Sequence, residues 1–296
     1  MAERSISIKR TPAGAGIKAR MSPVEKALWY IEAHLQENIS LGDVASDCGV
    51  SRHHLLRAFA AGTGTSVMRY VRGRRLSQAA ERLANGANDI LEVAIGAGYN
   101  SHEAFTRAFG DQFGATPAQV RTRGDSRGLA LVQPIALDAS PLPIESPSFE
   151  LLDVLLIAGI SRRYEGIESG AGVPGQWSAF AAEHERVKWR VGAATYGVCF
   201  NLDDEGSMDY LCGVQVNAFA GQPSQLSCLR VPRRRYAVFV HREHIATIRR
   251  TWDAIWNGWL PRSGHEAADA PLLERYEDHL HPQSGAGGIA LLVALE

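Results

Sequence analysis

The sequence predicts two domains: an all-α domain of two helix-turn-helix units, and then an α+β domain of two βαββ halves. Three observations predict this. A chain of 296 residues is long enough for two domains of the usual size. Its first part repeats a pattern of short helical segments with glycine between them. Its second part alternates strand-like runs with two helical segments.

Turn signals and composition place the boundaries. Residues 1–21 contain five Lys and Arg but few large apolar residues, which predicts a flexible basic tail. Helical patterning extends over 22–123. Residues 124–147 lack a helical period and carry three prolines within 140–147, so they are predicted to form a linker. The second domain then covers 148–296.

The helical region contains an internal repeat of two short helices joined by a glycine turn. The matching residues are Val44-Ala45, Gly49, Leu55–Phe59 and Gly64 in the first copy and Val93-Ala94, Gly98, Phe105–Phe109 and Gly114 in the second. The offset is 49 residues before the turn and 50 after it. Two such copies are the arrangement of two helix-turn-helix units, and the helical segment 66–84 joins them.

Serine and glycine set the helix boundaries in this region. Ser22 opens a capping signal that starts an amphipathic helix running to about residue 37. Ser40 and Ser51 begin the next two helices, which are predicted to end at Gly49 and near residue 61. Gly73 interrupts the long segment at a cost of roughly 1 kcal/mol relative to Ala.

Two linked helix-turn-helix units point to double-stranded DNA as the partner. Such a unit inserts its second helix into the major groove, where each base pair presents a distinct pattern of donors and acceptors. Two units on one connecting helix can reach adjacent major-groove segments, about 34 Å apart, so a monomer can read an asymmetric operator. Residues 1–125 carry 16 Lys and Arg against 12 Asp and Glu, whereas residues 126–296 carry 15 against 20. A purely structural helical bundle is the alternative.

Motifs in this region resemble the AraC/XylS family. The run Ile39–Phe59 looks like the family's first helix-turn-helix unit, Arg74-Arg75-Leu76 resembles its linker helix, and Val93–Pro117 matches its C-terminal signature closely. The resemblance implies that the second helix of each unit faces the major groove. The DNA-contacting residues that follow are Arg52, His53, Arg57, His102, Glu103, Thr106 and Arg107.

Side-chain chemistry gives these residues separate roles. Arg57 and Arg107 can each donate a bidentate pair to guanine, and Glu103 can accept from a cytosine amine. The alternative for either arginine is an ion pair with a carboxylate or a phosphate. The basic run Arg72–Arg75 is interpreted as a solvated helix face or a phosphate contact. RNA polymerase is the further partner expected for a regulator of this family.

After residue 147 the predicted elements follow the order β-α-β-β-β-α-β-β. The strand candidates are Phe149–Ile160, Thr195–Asn201, Asp209–Phe219, Leu226–His241, Leu272–His279 and Gly288–Leu295. Helices are predicted for Gln176–Val187 and Ile245–Leu260. This is an α+β layout with both helices on one sheet face and a groove between the two halves.

The second domain resembles GyrI-like effector-binding domains. The residues that carry the resemblance are Pro174-Gly175-Gln176-Trp177, Asp209-Tyr210, Tyr236–His241, Thr251-Trp252, Trp256, Trp259-Leu260-Pro261 and Glu274-Arg275-Tyr276. The resemblance implies a GyrI-like, SHS2-type fold. It also implies a small organic effector, often cationic, bound between the two halves.

Glu274 is the residue on which we expect effector binding to depend. Strand alternation puts it on the same face as Leu272 and Tyr276, opposite Leu273 and Arg275. A carboxylate among apolar groups gains a partner only from a cation or from hydrogen-bond donors, which favours a lipophilic cation. The alternatives are a solvent-facing or salt-bridged Glu274, and tryptophans that serve only the core. Flat walls for an organic cation are expected from aromatic side chains: Trp177, Phe180, Tyr196, Tyr210, Trp256 and Tyr276.

The sequence gives less support to enzymatic, cofactor-binding or metal-binding functions. The sequence contains no nucleophile-base motif, phosphate loop or metal spacing, so no enzyme, cofactor or metal site is predicted. The alternatives retained for the second domain are a GyrI-like hydrolase with Glu274 as general base, and a protein-interaction module. The four cysteines are predicted to be free thiols. With neither an apolar leader nor a membrane span, a cytoplasmic protein is predicted.

Overall fold

The structure, a computed structural model, describes residues 21–137, 143–165, 172–277 and 288–296. In these residues seven helices come first, and an antiparallel sheet with two helical regions follows, which confirms the predicted fold class. The predicted basic tail lies outside the described residues except for Met21, as does the part 138–142 of the linker. No helix within these ranges is both long enough and apolar enough to cross a membrane.

Helices α1 to α3 form the first helix-turn-helix unit with its supporting helix. Their bounds are α1 Pro23–His34, α2 Leu41–Cys48 and α3 Arg52–Thr63. Serine side chains cap all three, and Ser22 and Ser40 each complete a capping box with the acidic residue three positions on. Gly49 ends α2 in the left-handed conformation (φ 71°), as the predicted turn requires.

Helix α4 is the connecting helix, and α5 to α7 belong to the second unit. Their bounds are α4 Val67–Ala84, α5 Ile90–Gly96, α6 His102–Phe113 and α7 Pro117–Arg123. Helices α5 and α6 repeat α2 and α3, and α4 joins the two units as predicted. Each unit has its own apolar cluster, one that includes Phe59 and another that includes Phe105 and Phe109.

Gly73 stands in the middle of α4 where the linker passes over it. A Cβ at this position would lie 2.8 Å from Cγ2 of Val132. Val132 cannot easily withdraw, because its N–H donates to Ser77 Oγ (2.8 Å) and its carbonyl accepts from Arg74 Nη1 (2.8 Å). The part of the linker before residue 138 therefore lies against the helical domain.

The C-terminal domain contains eight described strands and two helical regions. The strands are β1 Ser148–Leu152, β2 Leu155–Tyr164, β3 Arg190–Phe200, β4 Met208–Val216, β5 Ser227–Val231, β6 Arg234–His241, β7 Leu272–Tyr276 and β8 Ile289–Ala294. The helical regions are α8 and α9. Helix α8 is Val173–Glu183, and α9 consists of Ile248–Asp253, the π-helical Ala254–Trp259 and Leu260–Ser263.

Two of the long strands that we predicted are each divided into two strands in the structure. The run Phe149–Ile160 breaks at 153–154, and Leu226–His241 breaks at 232–233. Pro232 lacks the N–H that would continue a ladder. Each half therefore has the order ββαββ, which is the predicted βαββ order with one strand added at its start. The end of the predicted strand Leu272–His279 lies outside the described residues.

The strand order β1-β6-β8-β7-β3-β4-β2-β5 has an internal two-fold symmetry. The run β6-β8-β7 of the second half corresponds to β2-β4-β3 of the first, and the halves meet where β3 pairs with β7. The first strand of each half crosses to the other half, since β1 pairs with β6 and β5 pairs with β2. The two halves thus share one sheet with the β3–β7 seam at its centre.

The two faces of this sheet have different partners. One face packs on α8 and α9 through clusters that include Phe180 and Trp256, as predicted for both helices. The cluster on the other face contains no described helix residue and joins Leu152 of β1 to Leu229 of β5. Because these strands lie at opposite edges, the sheet curls around this cluster. Tyr196 belongs to it.

Replacing Gly73 by Ala is expected to destabilise the chain, although Ala is the better helix former by about 1 kcal/mol. The new methyl group would push Val132 away from Ser77. Gly110→Ala in α6 is the matched control, because nothing lies within 4 Å of a Cβ at that position, and this variant should gain stability. Urea denaturation followed by circular dichroism measures both. A Gly73→Ala chain as stable as the control would show that the linker does not press on α4.

Candidate functional site

Helix α3, which is predicted to enter the major groove, packs against the C-terminal domain. Ala58 and Ala61 share an apolar cluster with Ile255, Trp256 and Leu260 of α9. The contact involves both the α-helical part Ile248–Asp253 and the π-helical part Ala254–Trp259 of α9, and proteins often place π-helical turns at functional sites. The small alanine side chains let the two backbones approach closely. The DNA-binding and C-terminal domains therefore share a core at this interface.

Asn257 of α9 forms two hydrogen bonds across this contact, as donor to α3 and as acceptor from α1. Its Nδ2 donates to the carbonyl of Ala58 (2.8 Å), and its Oδ1 accepts from the N–H of Val24 (3.2 Å). The His54 imidazole donates to the carbonyl of Trp256 (Nε2···O 3.0 Å). Burial lowers the pKa of His54 below its ordinary value of 6.5, so the ring is neutral at neutral pH. Polar groups that are buried here are thus satisfied across the domain boundary.

Three residues predicted to contact bases are engaged by the C-terminal domain. Arg57 is 8% exposed, and it and His53 donate to carbonyl oxygens of the loop 267–270 (2.8 Å and 2.6 Å). Arg52 is exposed but pairs with Asp204 (Nη2···Oδ2 2.7 Å). We expected these positions to face solvent and then DNA. The structure corrects this for α3, because the C-terminal domain covers the helix in this conformation.

The second unit presents its equivalent residues to solvent. His102, Glu103 and Arg107 on α6 are exposed. Thr106 is partly buried, and its hydroxyl has no hydrogen-bond partner among the described residues. Ser101 caps this helix. Helix α6 is therefore accessible to a major groove while α3 is not.

The basic residues on α4 form contacts within the protein. Arg74 is buried and forms a bidentate pair with Glu32 (2.9 and 3.0 Å). Arg75 donates to backbone carbonyls that follow α1. Arg72 pairs with Glu205 of the C-terminal domain. For Arg74 and Arg75 these contacts correct the interpretation as a solvated face, whereas Arg72 is exposed and its contact with a phosphate stays a prediction.

A cavity of about 970 Å³ lies between α3, α8, α9 and the β3–β7 seam. Most of its lining is apolar or aromatic. Helix α3 supplies Arg57, Ala60 and Ala61 to the wall, so the cavity is bounded by both domains. A ligand inside it would touch the DNA-binding helix directly.

Glu274 brings a negative charge to this cavity. It is 8% exposed, and its Oε2 accepts from the hydroxyls of Tyr210 and Tyr276, both at 2.8 Å. Trp177 Nε1 in turn donates to the Tyr210 oxygen (3.2 Å). Burial, and after it the Glu274 carboxylate, raises the pKa of both tyrosines well above 10, so they remain donors. No cationic side chain among the described residues forms an ion pair with Glu274.

Gly197 of β3 makes room for this cluster. A Cβ there would lie 2.2 Å from the Tyr210 hydroxyl and 2.7 Å from Glu274 Oε2. Gly197 is paired with Glu274 across the β3–β7 seam. A glycine inside a strand pattern indicates such a close approach, so the sequence did contain a signal for this residue.

Most of the predicted effector-binding residues line the cavity. Phe180 and Tyr196 do not. Phe180 is buried in a cluster with Cys212, and Tyr196 faces the opposite side of the sheet because side chains alternate along β3. Arg57 and Cys199 line the cavity without having been predicted to do so. The predicted residues that do line it are Trp177, Tyr210, Trp256, Glu274 and Tyr276.

Two family models match the chain. One, described as a helix-turn-helix domain, covers residues 44–123. The other, described as a GyrI-like small molecule binding domain, covers residues 145–284. The two matches fall on the two domains described above.

Curated relatives and a solved structure give further matches. The right origin-binding protein of Escherichia coli (strain K12) is 33% identical over 141 residues, 48% of this chain and 48% of that protein. The probable transcription factor PqrA of Proteus vulgaris is 38% identical over 103 residues, 34% of this chain and 84% of that protein. The chain spans about half the length of the first curated relatives it matches. The structure of SAV2435 bound to tetraphenylphosphonium aligns with a TM-score of 0.44 at 17% identity, covering 51% of this chain and 94% of that one.

Acidification is expected to lower the free energy of unfolding, because His54 is buried in its neutral form. Above pH 6.5 the imidazole is neutral both in the folded and in the unfolded chain, so its contribution is fully present. As the pH falls below 6.5, the unfolded chain binds the proton first, and stability is lost by at most about 1.4 kcal/mol per pH unit. The free energy of unfolding, measured by urea denaturation between neutral and mildly acidic pH, checks this.

The variant His54→Gln should remove that part of the pH dependence. His102→Gln, at an exposed position of α6, is the matched control and should retain it. Equal pH dependence in His54→Gln and in the unsubstituted chain would contradict the role of His54.

Proposed function

Since this chain belongs to the AraC/XylS family of transcription regulators, we propose that it binds DNA under the control of a small organic molecule. The observation that carries the second part is Glu274, a buried carboxylate with hydroxyl donors that lines a largely apolar cavity. In this proposal residues 22–123 read DNA, 124–147 connect the domains, and 148–296 bind the effector.

The chemistry of the cavity favours an organic cation with a flat apolar body. A buried carboxylate that lacks a cationic partner is stabilised by a cation that replaces the lost water. Trp177, Trp256 and Tyr276 line the same space and offer ring faces and edges to such a ligand. The cavity volume is within the range of small-molecule sites. Trp177, Tyr210, Trp256, Glu274 and Tyr276 are the proposed effector contacts.

The helical domain supports DNA binding through two recognition helices that differ in sequence. His102, Glu103, Thr106 and Arg107 on α6 are the proposed base-reading set of the second unit. Arg52, His53 and Arg57 on α3 take the same role once α3 has left the C-terminal domain. Because the two sets are not identical, the operator is asymmetric and spans two adjacent major-groove segments. A regulator bound there acts on RNA polymerase at the promoter.

We propose binding without turnover in the cavity. The relatives above are named as an origin-binding protein and a transcription factor. The raised pKa of Tyr210 and Tyr276 keeps both hydroxyls protonated, which makes them poor nucleophiles. Both hydroxyls also donate to Oε2 of Glu274, so this oxygen is already engaged in two hydrogen bonds.

The substitution Glu274→Gln is expected to weaken binding of a lipophilic cation. Removal of the carboxylate charge should raise the Kd for tetraphenylphosphonium by about tenfold or more, because a hydrogen-bonded or paired charge contributes about 1.5 kcal/mol or more. Glu266→Gln, an exposed position outside the cavity, is the matched control. Titration by calorimetry measures the three proteins. Equal affinity in Glu274→Gln and in the control would remove Glu274 from the site.

The substitution Arg107→Ala is expected to reduce DNA affinity and to relax specificity at one base pair. A bidentate contact to guanine contributes about 1–3 kcal/mol of discrimination. The operator is first obtained by selecting duplexes from genomic DNA, and affinities are then measured by fluorescence anisotropy at fixed salt. Arg262→Ala, an exposed position of the C-terminal domain, serves as control. Unchanged discrimination in Arg107→Ala would exclude base reading by this residue.

A further inference from the structure

Arg57 gives the effector cavity a buried positive charge. The side chain lines the cavity, is 8% exposed, and lies 5.6 Å from the centre of the Trp256 ring. Within the described part of the chain it forms one hydrogen bond, from Nη2 to the carbonyl of Ala270 (2.8 Å). Burial lowers its pKa to about 10, so Arg57 is charged at neutral pH. Among the described residues it forms no ion pair with a carboxylate.

The cavity therefore holds one buried charge of each sign. Burial raises the pKa of the Cys199 thiol, Glu274 adds to this and Arg57 opposes it, so both charges act on one side chain of the wall. Glu274 comes from β7 of the C-terminal domain, whereas Arg57 comes from α3 of the DNA-binding domain. Asp269 also acts on Arg57 from a distance, yet burial still lowers the Arg57 pKa, so the carbonyl, the tryptophan ring and Asp269 together offset only part of the cost of burying the guanidinium. A ligand that carries an anionic group can supply the missing partner.

Resting on the function proposed above, we infer that the cavity is a composite site for an amphoteric organic molecule. Its cationic part lies at Glu274, its anionic part pairs with Arg57, and its aromatic body lies against Trp256. Such a ligand connects the two domains through one molecule. It therefore holds α3 on the C-terminal domain and keeps it from DNA.

This geometry determines whether the effector raises or lowers the affinity of the protein for DNA. A ligand that binds better when α3 is docked lowers the affinity for DNA, and DNA lowers the affinity for that ligand by the same factor. A ligand with a cationic group alone leaves Arg57 without a partner. It adds a like charge to the cavity and does not stabilise the docked helix.

Two fluorescent dyes test this directly on the full chain. Rhodamine 110 carries a xanthylium cation and a free benzoate, and rhodamine 123 is its methyl ester, which lacks the anionic charge. Fluorescence anisotropy gives the Kd of each dye. We expect rhodamine 110 to bind about tenfold more tightly, the ratio that one charge-assisted contact produces. Hydrogen–deuterium exchange of α3 should slow with rhodamine 110 and not with rhodamine 123.

Two arginine variants separate the composite site from general dye binding. Arg57→Gln should reduce the ratio of the two Kd values to near unity, chiefly by weakening rhodamine 110. Arg107→Gln is the matched control, because Arg107 holds the equivalent position of the second unit and lies outside the cavity. It should leave the ratio unchanged. Circular dichroism of both variants verifies that each is folded.

The outcomes distinguish this inference from the proposed function. If both dyes bind with equal Kd, or if Arg57→Gln keeps the preference for rhodamine 110, the composite site is refuted while effector binding at Glu274 stands. Faster exchange of α3 with rhodamine 110 would also refute it. If neither dye binds and tetraphenylphosphonium does not bind either, the proposed effector function fails, and the composite site fails with it.

Discussion

The packing of α3 on α9 is the contact on which the arrangement of this protein depends. It uses the helix that is predicted to read DNA, and it satisfies buried polar groups from both domains through Asn257 and His54. Because buried polar groups are costly to leave unpaired, these hydrogen bonds favour one alignment of α3 along α9. It also closes one side of the effector cavity with Arg57.

In the proposed function, two roles therefore fall on one helix. In the docked conformation Arg57 belongs to the effector cavity, and in a DNA complex it would belong to the major groove. A buried side chain cannot do both at once, so binding of α3 to DNA requires its release. The second unit is not under this constraint, since His102, Glu103 and Arg107 of α6 are exposed. In the proposed function helix α6 contacts DNA first, and release of α3 would add the second groove segment.

Local sequence signals were sufficient for most of the fold. Serine caps, glycine turns and the repeat with its offset predicted both helix-turn-helix units, since these signals act within a few residues. Alternation also placed Glu274 and Tyr276 on one face of β7. The same rule was not enough for Tyr196, because alternation shows which residues share a face but not which face meets the helices. Only the pairing of β3 with β7 decides that.

The docked interface could not be predicted from the sequence. Its contacts join residues about 200 positions apart, such as Ala58 and Asn257 (a separation of 199), and no local pattern encodes them. Arg57 has the sequence context of an exposed base-reading residue, and Arg74 has that of a solvated basic run. Each is buried because a distant segment, the 267–270 loop or the linker at Val132, covers it. Composition and periodicity carry no information on such tertiary contacts.

The affinity of an Asn257→Ala chain for the selected operator duplex tests the docked helix most directly. This substitution removes hydrogen bonds that hold α3 and α1 on the C-terminal domain, and it leaves every proposed DNA-contacting side chain in place. If docking competes with DNA, the apparent Kd for DNA falls, because a larger fraction of the chain has α3 free. Gln225→Ala, an exposed position of the C-terminal domain, should leave this Kd unchanged. An Asn257→Ala chain that is folded but binds DNA no more tightly than the unsubstituted chain would contradict the competition.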